Sequence, residues 1–248
     1  MSTFISQAKR LFILLPALAG LFLITVPAPA EPTPGKQDPL VTQMVCEFLR
    51  RGHLSQPKID DDLSRRLFRR FLKEIDPNKL YFVQTDIDEF KKQETELDDM
   101  LLKGDLSFLY KVYERLVKRM GERQKLVEEF VATKYNFATK EYLQTDPDRI
   151  EYTRTDDEMR ERWRQRIKFD LLLQRIGEKP VPETEAKEKV LARYRSLLKR
   201  WKQMDNFDLL EIYLSDLTTS LDPHSTYLSP ATLDEFEIAM RLNLDGIG

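Results

Sequence analysis

Residues 105–134 read DLSFLYKVYERLVKRMGERQKLVEEFVATK, and the spacing of apolar side chains in this stretch decides the fold class. Large apolar side chains recur at intervals of three, four or seven residues at Leu106, Leu109, Tyr113, Leu116, Met120, Val127 and Phe130. Side chains spaced in this way lie on one face of an α-helix. The period continues across Gly121, although glycine inside a helix costs about 1 kcal/mol relative to alanine and can mark a bend. The stretch therefore predicts one long amphipathic helix between Gly104 and about Lys134.

Three further helices are predicted on the N-terminal side. Asp38-Pro39 supplies an N-cap carboxylate and a first-turn proline for a helix that Gly52 ends. The predicted core stripe of this helix is Leu40, Val41, Met44, Val45, Phe48 and Leu49. A second helix begins near Asp61 and stops at Asp76-Pro77, because proline disfavours the helical conformation in the residue before it. A third is predicted as one continuous helix over residues 86–103.

Helices are also predicted on the C-terminal side. Thr155 and Glu158 form a capping box that opens a helix ending at Gly177. Further helices are predicted over residues 182–204, 207–221 and, after the Ser229-Pro230 cap, about 230–240. Residues 135–154 fit either a small hairpin or an ordered loop, and the sequence does not choose between them. The fold class predicted is all-α, an irregular multi-helix bundle with long helices.

Composition narrows the class of protein. Of 248 residues, 41% are hydrophobic and 33% charged, which is too apolar for a disordered chain and too charged for a membrane bundle. The chain has 8 glycines, too few for the tight turns of sheets and for phosphate-binding loops. A net charge of −2 gives no general attraction to nucleic acid. The one cysteine, Cys46, lies on an apolar stripe and is predicted to be a buried core residue rather than a reactive thiol.

The first thirty residues have the features of a secretory signal peptide. Lys9 and Arg10 precede an apolar run over residues 11–26, and Ala28-Pro29-Ala30 follows as a cleavage site. The run is shorter than the roughly 20 residues that span a bilayer. We expect cleavage after Ala30 and export to the periplasm, with membrane contact only during export; an uncleaved anchor is the alternative. Residues 31–37 are a predicted linker, and residues 38–241 the helical domain.

Chemistry-bearing motifs are missing from the sequence. Nucleophilic hydrolysis needs a nucleophile, a base and oxyanion donors, and no Gly-x-Ser-x-Gly pattern occurs. His53 and His224 are the only histidines, and neither belongs to a zinc-binding motif. The acidic runs at 60–62 and 98–99 lack the alternating ligands and glycine turn of a calcium loop. The sequence therefore predicts no catalytic residue, no cofactor-binding residue and no metal ligand.

One turn motif occurs twice. Asp76-Pro77 is followed by Tyr81, and Asp222-Pro223 is followed by Tyr227, with the same offset from aspartate to tyrosine. An aspartate can accept a hydrogen bond from the backbone two residues on, while proline fixes φ. Each motif is therefore predicted to end a helix and to present an aromatic anchor.

Several stretches of the sequence resemble the N-terminal helical region of bacterial tail-specific (carboxy-terminal processing) proteases. They are the residues from His53-Leu54-Ser55 to DPNKLYF (76–82), WRQRIKFDLL (163–172), and the most specific pair, LDPHSTYLSP (221–230) followed by DGIG (245–248). The resemblance covers roughly residues 38–248. Enzymes of this family are periplasmic endopeptidases that recognise apolar C-terminal tails through a PDZ domain and cut with a serine–lysine dyad.

The resemblance implies a noncatalytic helical region, because no residue of this chain matches the dyad. In similar proteins the helical domains form a bowl around the protease and dock an adaptor lipoprotein. The partners implied are the PDZ and peptidase domains, an adaptor lipoprotein, and unfolded or tailed protein substrates, with no nucleic acid. The residues that match the family at the junction to the peptidase core, and for which a structural role is implied, are Asp222, Pro223, His224, Tyr227 and Gly246.

Residues 242–248 have the pattern of a nascent strand at the start of the PDZ and peptidase region. A strand without partners leaves its backbone donors and acceptors unpaired. We therefore expect a truncated gene product, a disrupted reading frame or a fragment. The alternatives to a protease region are a standalone exported helical adaptor or binding protein and a nonfunctional truncated product.

Overall fold

The computed structural model describes residues 32–53, 58–176 and 179–241. Three predictions lie outside the described residues. They are the signal peptide with its cleavage site after Ala30, the helix end at Gly177, and the nascent strand at 242–248 with Gly246. All the described residues belong to one compact unit.

Within these residues the chain forms nine α-helices and no β-strand, so the all-α prediction is confirmed. The helices are α1 (Asp38–Gly52), α2 (Asp61–Ile75), α3 (Gln84–Phe90), α4 (Leu97–Lys103), α5 (Ser107–Ala132), α6 (Asp156–Ile176), α7 (Glu183–Lys202), α8 (Asn206–Leu221) and α9 (Pro230–Arg241). None of the described helices is both long enough and apolar enough to cross a membrane.

The long helix α5 connects two hydrophobic clusters, and it is continuous through Gly121 as predicted. Its N-terminal half lies in the first cluster with α2 and α8, where the Phe71 ring meets Phe108 of α5 at 6.2 Å and Tyr213 of α8 at 5.0 Å. Its C-terminal half packs with α6 and α7 in the second cluster, which includes Trp163. Helix α7 also reaches the N-terminal half of α5, where its Trp201 ring lies 6.4 Å from Tyr113. Because most helix stability in proteins comes from packing of an apolar face, these contacts stabilise α5 along its whole length.

Helix α2 follows its sequence pattern closely. The Asp60 side chain caps it by accepting hydrogen bonds from the backbone N–H groups of Asp62 and Leu63. All the side chains on the predicted face are buried, namely Leu63, Leu67, Phe68, Phe71, Leu72 and Ile75. Burying each such side chain contributes roughly 1.5–3 kcal/mol, so this face is a principal source of stability.

The predicted stripe of α1 is only partly buried. Leu49 lies in the core and Val41 and Val45 pack against it, but Leu40, Met44 and Phe48 are 57%, 62% and 68% exposed. The buried face runs instead through Asp38, Thr42, Cys46 and Leu49. A single helix cannot bury both sides of a wide apolar stripe when its neighbours, α4 and α8, cover only one.

The N-cap of α1 is Gln37 rather than Asp38, so the predicted cap was wrong. Asp38 lies in the first helical turn, where its carboxylate accepts hydrogen bonds from the Gly35 N–H at 2.6 Å and from Asn206 Nδ2 at 3.0 Å. These contacts bring the start of α1 next to the start of α8. The buried position predicted for Cys46 is confirmed, and burial raises the pKa of its thiol to about 12.

The single helix predicted over residues 86–103 is divided into α3, a 3-10 turn (Lys91–Gln93) and α4. Asp86 binds α3 to α5 through Arg119, with Nε 2.9 Å from the carboxylate. Asp98 binds α4 to α2 instead, because Ser64 Oγ donates to its carboxylate at 2.7 Å and accepts from its backbone N–H at 2.8 Å. Two short helices can meet both partners, whereas one straight helix is held to a single direction.

Of the two conformations left open for residues 135–154, the structure has the ordered loop. The loop carries the Val83–Thr153 bridge, in which the Gln84 N–H donates to the Thr153 carbonyl at 2.8 Å. Its Tyr142 side chain is 88% exposed, whereas Ile150 is buried. A hairpin would need paired backbone groups on both arms, and this loop instead attaches to the region around α3.

Candidate functional site

Both Asp-Pro motifs end a helix, as predicted. Asp76 follows the last residue of α2, and Asp222 follows the last residue of α8. In each motif the backbone N–H of the third residue after the aspartate donates to the aspartate carbonyl, from Lys79 to Asp76 and from Ser225 to Asp222, at 3.0 Å in both cases. The two turns therefore share their backbone geometry.

The first turn closes around the buried carboxylate of Asp76. One oxygen accepts the Leu80 N–H, and the other accepts the N–H groups of Tyr81 and Phe82, all at 2.9 Å. These donors lie four to six residues on, not two residues on as the motif predicted. Burial raises the pKa of Asp76, while the three N–H donors and the Arg162 charge act in the opposite direction.

The residues after Asp76 connect the two hydrophobic clusters. Phe82 packs edge-on against Phe90 with ring centres 5.4 Å apart, and Tyr81 meets Trp163 at 5.7 Å. The Trp163 indole N–H donates to the Leu80 carbonyl at 3.0 Å. The aromatic anchor predicted for this motif is confirmed, and its partner lies on α6.

The second turn leaves its aspartate partly exposed. Asp222 Oδ1 accepts the His224 N–H at 3.0 Å, which is the predicted bond two residues on, and lies 3.0 Å from His224 Nδ1. Asp222 Oδ2 accepts a hydrogen bond from Ser225 Oγ at 3.1 Å and lies 3.7 Å from His53 Nε2. The bonds from His224 hold the pKa of Asp222 below its usual range.

The position of His53 beside Asp222 and Ser225 was not predicted from the sequence. His53 follows α1 and its side chain is 13% exposed, with Nε2 3.3 Å from Ser225 Oγ. His53 and Asp222 are far apart in sequence, and they meet because α1 and α8 begin beside each other at Asp38 and Asn206 and run in parallel. Only packing of the two helices brings the two groups together.

Serine, histidine and aspartate thus lie together, which calls for comparison with a catalytic triad. In a triad the imidazole uses one nitrogen for the serine and the other for the carboxylate. Here His53 presents the same Nε2 to Ser225 and Asp222, and the Ser225 hydroxyl donates to the carboxylate directly. His224 is 89% exposed and contacts Asp222 alone among these three residues. The geometry therefore differs from that of a triad, and these contacts hold the loop against His53.

Tyr227 and the residues around it follow α8 back toward its beginning. Ser215 Oγ donates to the Tyr227 carbonyl at 2.7 Å, and Thr219 Oγ1 donates to the Ser225 carbonyl at 3.1 Å. The Tyr227 ring packs against the first cluster, so the aromatic anchor predicted for the second motif is confirmed as well. Pro223 is exposed at the tip of the turn.

Helix α9 begins after this loop and is exposed along nearly its whole length. Ser229 caps it by accepting the Thr232 N–H at 3.3 Å. Its apolar side chains are all in contact with solvent, at 42% for Leu233, 52% for Phe236, 60% for Ile238 and 66% for Met240. Leu233, Phe236 and Met240 are spaced by three and four residues and share one face of the helix, whereas Ile238 lies on the opposite side. An exposed apolar face of this kind is typical of an interaction site. No group of three metal-ligating side chains occurs in the described ranges.

Comparison with known proteins gives two findings. Residues 45–231 match the family model described as the tail-specific protease N-terminal domain, a range that holds both Asp-Pro turns and ends in the first turn of α9. The chain is similar to the tail-specific protease of Haemophilus influenzae, with 31% identity over 226 residues. That similarity covers 91% of this chain and 32% of the relative, so this chain spans only a minor part of the relative's length.

Proposed function

This chain belongs to the tail-specific protease N-terminal domain family, and from that premise we propose that it is the noncatalytic helical region of a periplasmic tail-specific serine endopeptidase. In this role it supports the docking of a substrate or an adaptor lipoprotein. Cleavage of proteins with apolar C-terminal tails then belongs to PDZ and peptidase domains that this helical region accompanies. The chain corresponds to 32% of its Haemophilus influenzae relative, so the activity of the whole enzyme is part of the proposal.

The exposed apolar face of α9 is the observation that carries the proposal. Burial of apolar surface contributes roughly 25 cal/mol per Å2, so a partner that covers the face formed by Leu233, Phe236 and Met240 would stabilise the helix. The family match ends inside this helix, where the peptidase portion of the intact enzyme would follow. The Asp222 loop anchors the start of α9 to α8 through Thr232, whose hydroxyl donates to Glu211 at 2.8 Å. The face is therefore held in place for a partner domain.

The docking role is tested by mixing the purified chain with the Haemophilus influenzae relative from which the matching region has been removed. We expect association that Phe236→Asp and Met240→Asp each weaken by about tenfold or more, because each places a charge in a desolvated contact. Ile176→Asp is the matched control, since Ile176 is 66% exposed at the end of α6, a helix of the second cluster. Equal weakening by the control variant would contradict the proposal.

The noncatalytic role is tested by incubating the chain alone with an unfolded protein that ends in apolar residues. We expect no cleavage. Cleavage by the chain alone that disappears in Ser225→Ala, the serine beside His53 and Asp222, would refute the proposal.

Export is tested separately, by fractionating cells that produce the full chain and sequencing the N-terminus of the periplasmic product. We expect a mature protein that begins at Glu31. Retention of residues 1–30 in the membrane fraction would favour the uncleaved anchor instead.

A further inference from the structure

A groove of about 880 Å3 lies between α2, α7 and α8 and reaches the first turn of α9 at Thr232. Its apolar lining comes from Ile75, Leu197, Trp201, Met204 and Ile212. Four of these side chains are only partly buried, because they pack against the first cluster on one side and face the groove on the other. The volume is sufficient for several side chains of a bound polypeptide.

A buried carboxylate lies in the wall of this groove. The side chain of Asp216 is 4% exposed, and its Oδ1 lies 2.8 Å from Arg70 Nε. Its Oδ2 is buried and accepts no hydrogen bond from any described residue. Arg70 itself is 44% exposed, so Asp216 is neutralised from one side alone. A buried carboxylate oxygen without a hydrogen-bond partner is rare in proteins, and further positive charge near it would stabilise the ionised form of Asp216.

The remaining charges of the groove are mainly acidic. Glu74 on α2 forms no ion pair with any residue in the described ranges, and Glu211 on α8 accepts a hydrogen bond from Thr232 without meeting a cation there. Asp208 lies in the α8 capping box, where its carboxylate accepts the Asp205 N–H. The charged groups that face Asp216 across the groove are Arg70 and Glu74 from α2, Arg200 from α7, and Asp208 and Glu211 from α8. Four carboxylates therefore face two guanidinium groups, and the groove carries negative charge.

We propose that this groove binds a polypeptide segment that presents a lysine or arginine side chain flanked by apolar residues. The cation lies beside Asp216 and Glu74, and the indole ring of Trp201 provides an aromatic face for it. The flanking side chains cover the apolar lining. This site deepens the docking role proposed above, on which it rests only in taking the partner to be a polypeptide.

Binding of a cation here is expected to depend on pH. Burial and the neighbouring charge of Glu74 raise the pKa of Asp216 to about 7, and Arg70 opposes them. A bound cation favours the ionised carboxylate, so binding releases a proton when the solution is near neutrality. Affinity therefore rises between pH 6 and pH 8, and Asp216→Asn removes most of that rise.

The test uses the full chain and a fluorescein-labelled, end-blocked peptide of alternating leucine and lysine, with binding followed by fluorescence anisotropy. We expect saturable binding that becomes about tenfold weaker when glutamine replaces every lysine in the peptide. The double variant Glu74→Gln, Glu211→Gln is expected to weaken binding to a similar extent. Glu188→Gln is the matched control, because this exposed carboxylate on α7 lies outside the groove lining.

Equal affinity for the lysine and glutamine peptides would overturn the proposal, and so would equal weakening by Glu188→Gln. Should Asp216→Asn fail to fold, Trp201→Leu in the folded chain is expected to weaken binding, and unchanged binding in that variant overturns the proposal. If the groove binds no peptide while α9 still supports association with the peptidase portion, only this inference fails. If peptide binds as expected while that association is absent, only the proposed function fails.

Discussion

Replacing Asp76 with alanine removes the single acceptor of three backbone N–H groups. The side chain is buried at 1% exposure, and the N–H groups of Leu80, Tyr81 and Phe82 all reach it at 2.9 Å. A buried donor without a partner costs about 1–3 kcal/mol. Because water can enter the space that alanine leaves, we expect a total loss of about 3–6 kcal/mol rather than the full sum. Domains are stable by only about 5–15 kcal/mol, so this loss is a large share.

The measurement is urea unfolding followed by far-UV circular dichroism and by tryptophan fluorescence. The fluorescence is informative because Trp163 donates to the Leu80 carbonyl and so reports on the segment that Asp76 holds. For Asp76→Ala we expect the urea concentration at the transition midpoint to fall in both signals. For Asp76→Asn we expect a smaller decrease in the midpoint, because the amide keeps one acceptor oxygen.

The matched control is Asp222→Ala, which alters the same turn at the end of α8. That carboxylate is partly exposed and accepts from one backbone N–H, that of His224, and from the Ser225 hydroxyl. Water can replace these bonds, so we expect a loss of about 1 kcal/mol or less. If Asp222→Ala were as destabilising as Asp76→Ala, the buried carboxylate would not be the source of the effect.

Three further predictions concern stability and reactivity. The pKa of Asp216 is about 7 in the folded protein against 3.8 in the unfolded chain, so protonation of Asp216 favours the folded state. This contribution to the free energy of unfolding is complete below about pH 4 and is lost as the pH rises through 7. Between pH 5 and pH 8 the melting temperature of Asp216→Asn should therefore fall less than that of the wild type, and equal decreases would contradict this. Gly104 has φ 71° and an added Cβ would lie 2.6 Å from the Pro39 carbonyl oxygen, whereas one added at Gly121 meets nothing within 4 Å. Chemical denaturation should accordingly show Gly104→Ala destabilised by about 1–3 kcal/mol and Gly121→Ala stabilised by about 0.5–1 kcal/mol, and the same sign for both would be inconsistent with this geometry. The Cys46 thiol should react with a thiol reagent only after denaturation, because burial raises its pKa to about 12, and rapid reaction of the native protein would contradict that position.

Sequence periodicity predicted most helices because helical periodicity is a local property. The face of α2 was predicted correctly, since it carries one apolar stripe flanked by charge. The predicted residues of α5 are buried as well, but α5 is covered on a wider face that includes Phe108 and Tyr110. The Asp-Pro turns were also predicted, because proline acts on its immediate neighbour whatever the rest of the chain does. The resemblance to the tail-specific protease family, on which the proposed function depends, could likewise be found in contiguous motifs.

Periodicity did not predict the buried face of α1 or the break between α3 and α4. In both cases contacts with other helices select among conformations that the local sequence permits equally. The apolar stripe of α1 is wide enough to be buried on either side, and the contacts with α4 and α8 leave Leu40, Met44 and Phe48 exposed. Residues 91–96 contain no glycine or proline, so the local sequence does not predict a break between α3 and α4. The break follows from Asp86 binding to α5 while Asp98 binds to α2.

The sequence by itself determined the helical class, the positions of the helix-ending turns and the family, because each depends on residues a few positions apart. Tertiary structure alone decided that His53 lies beside Asp222, that Asp76 is enclosed while its counterpart stays partly exposed, and that Asp216 faces a groove. Each of these depends on groups that are distant in the chain. Their distances are fixed by how helices pack, and side-chain packing depends on shapes that no single helix contains.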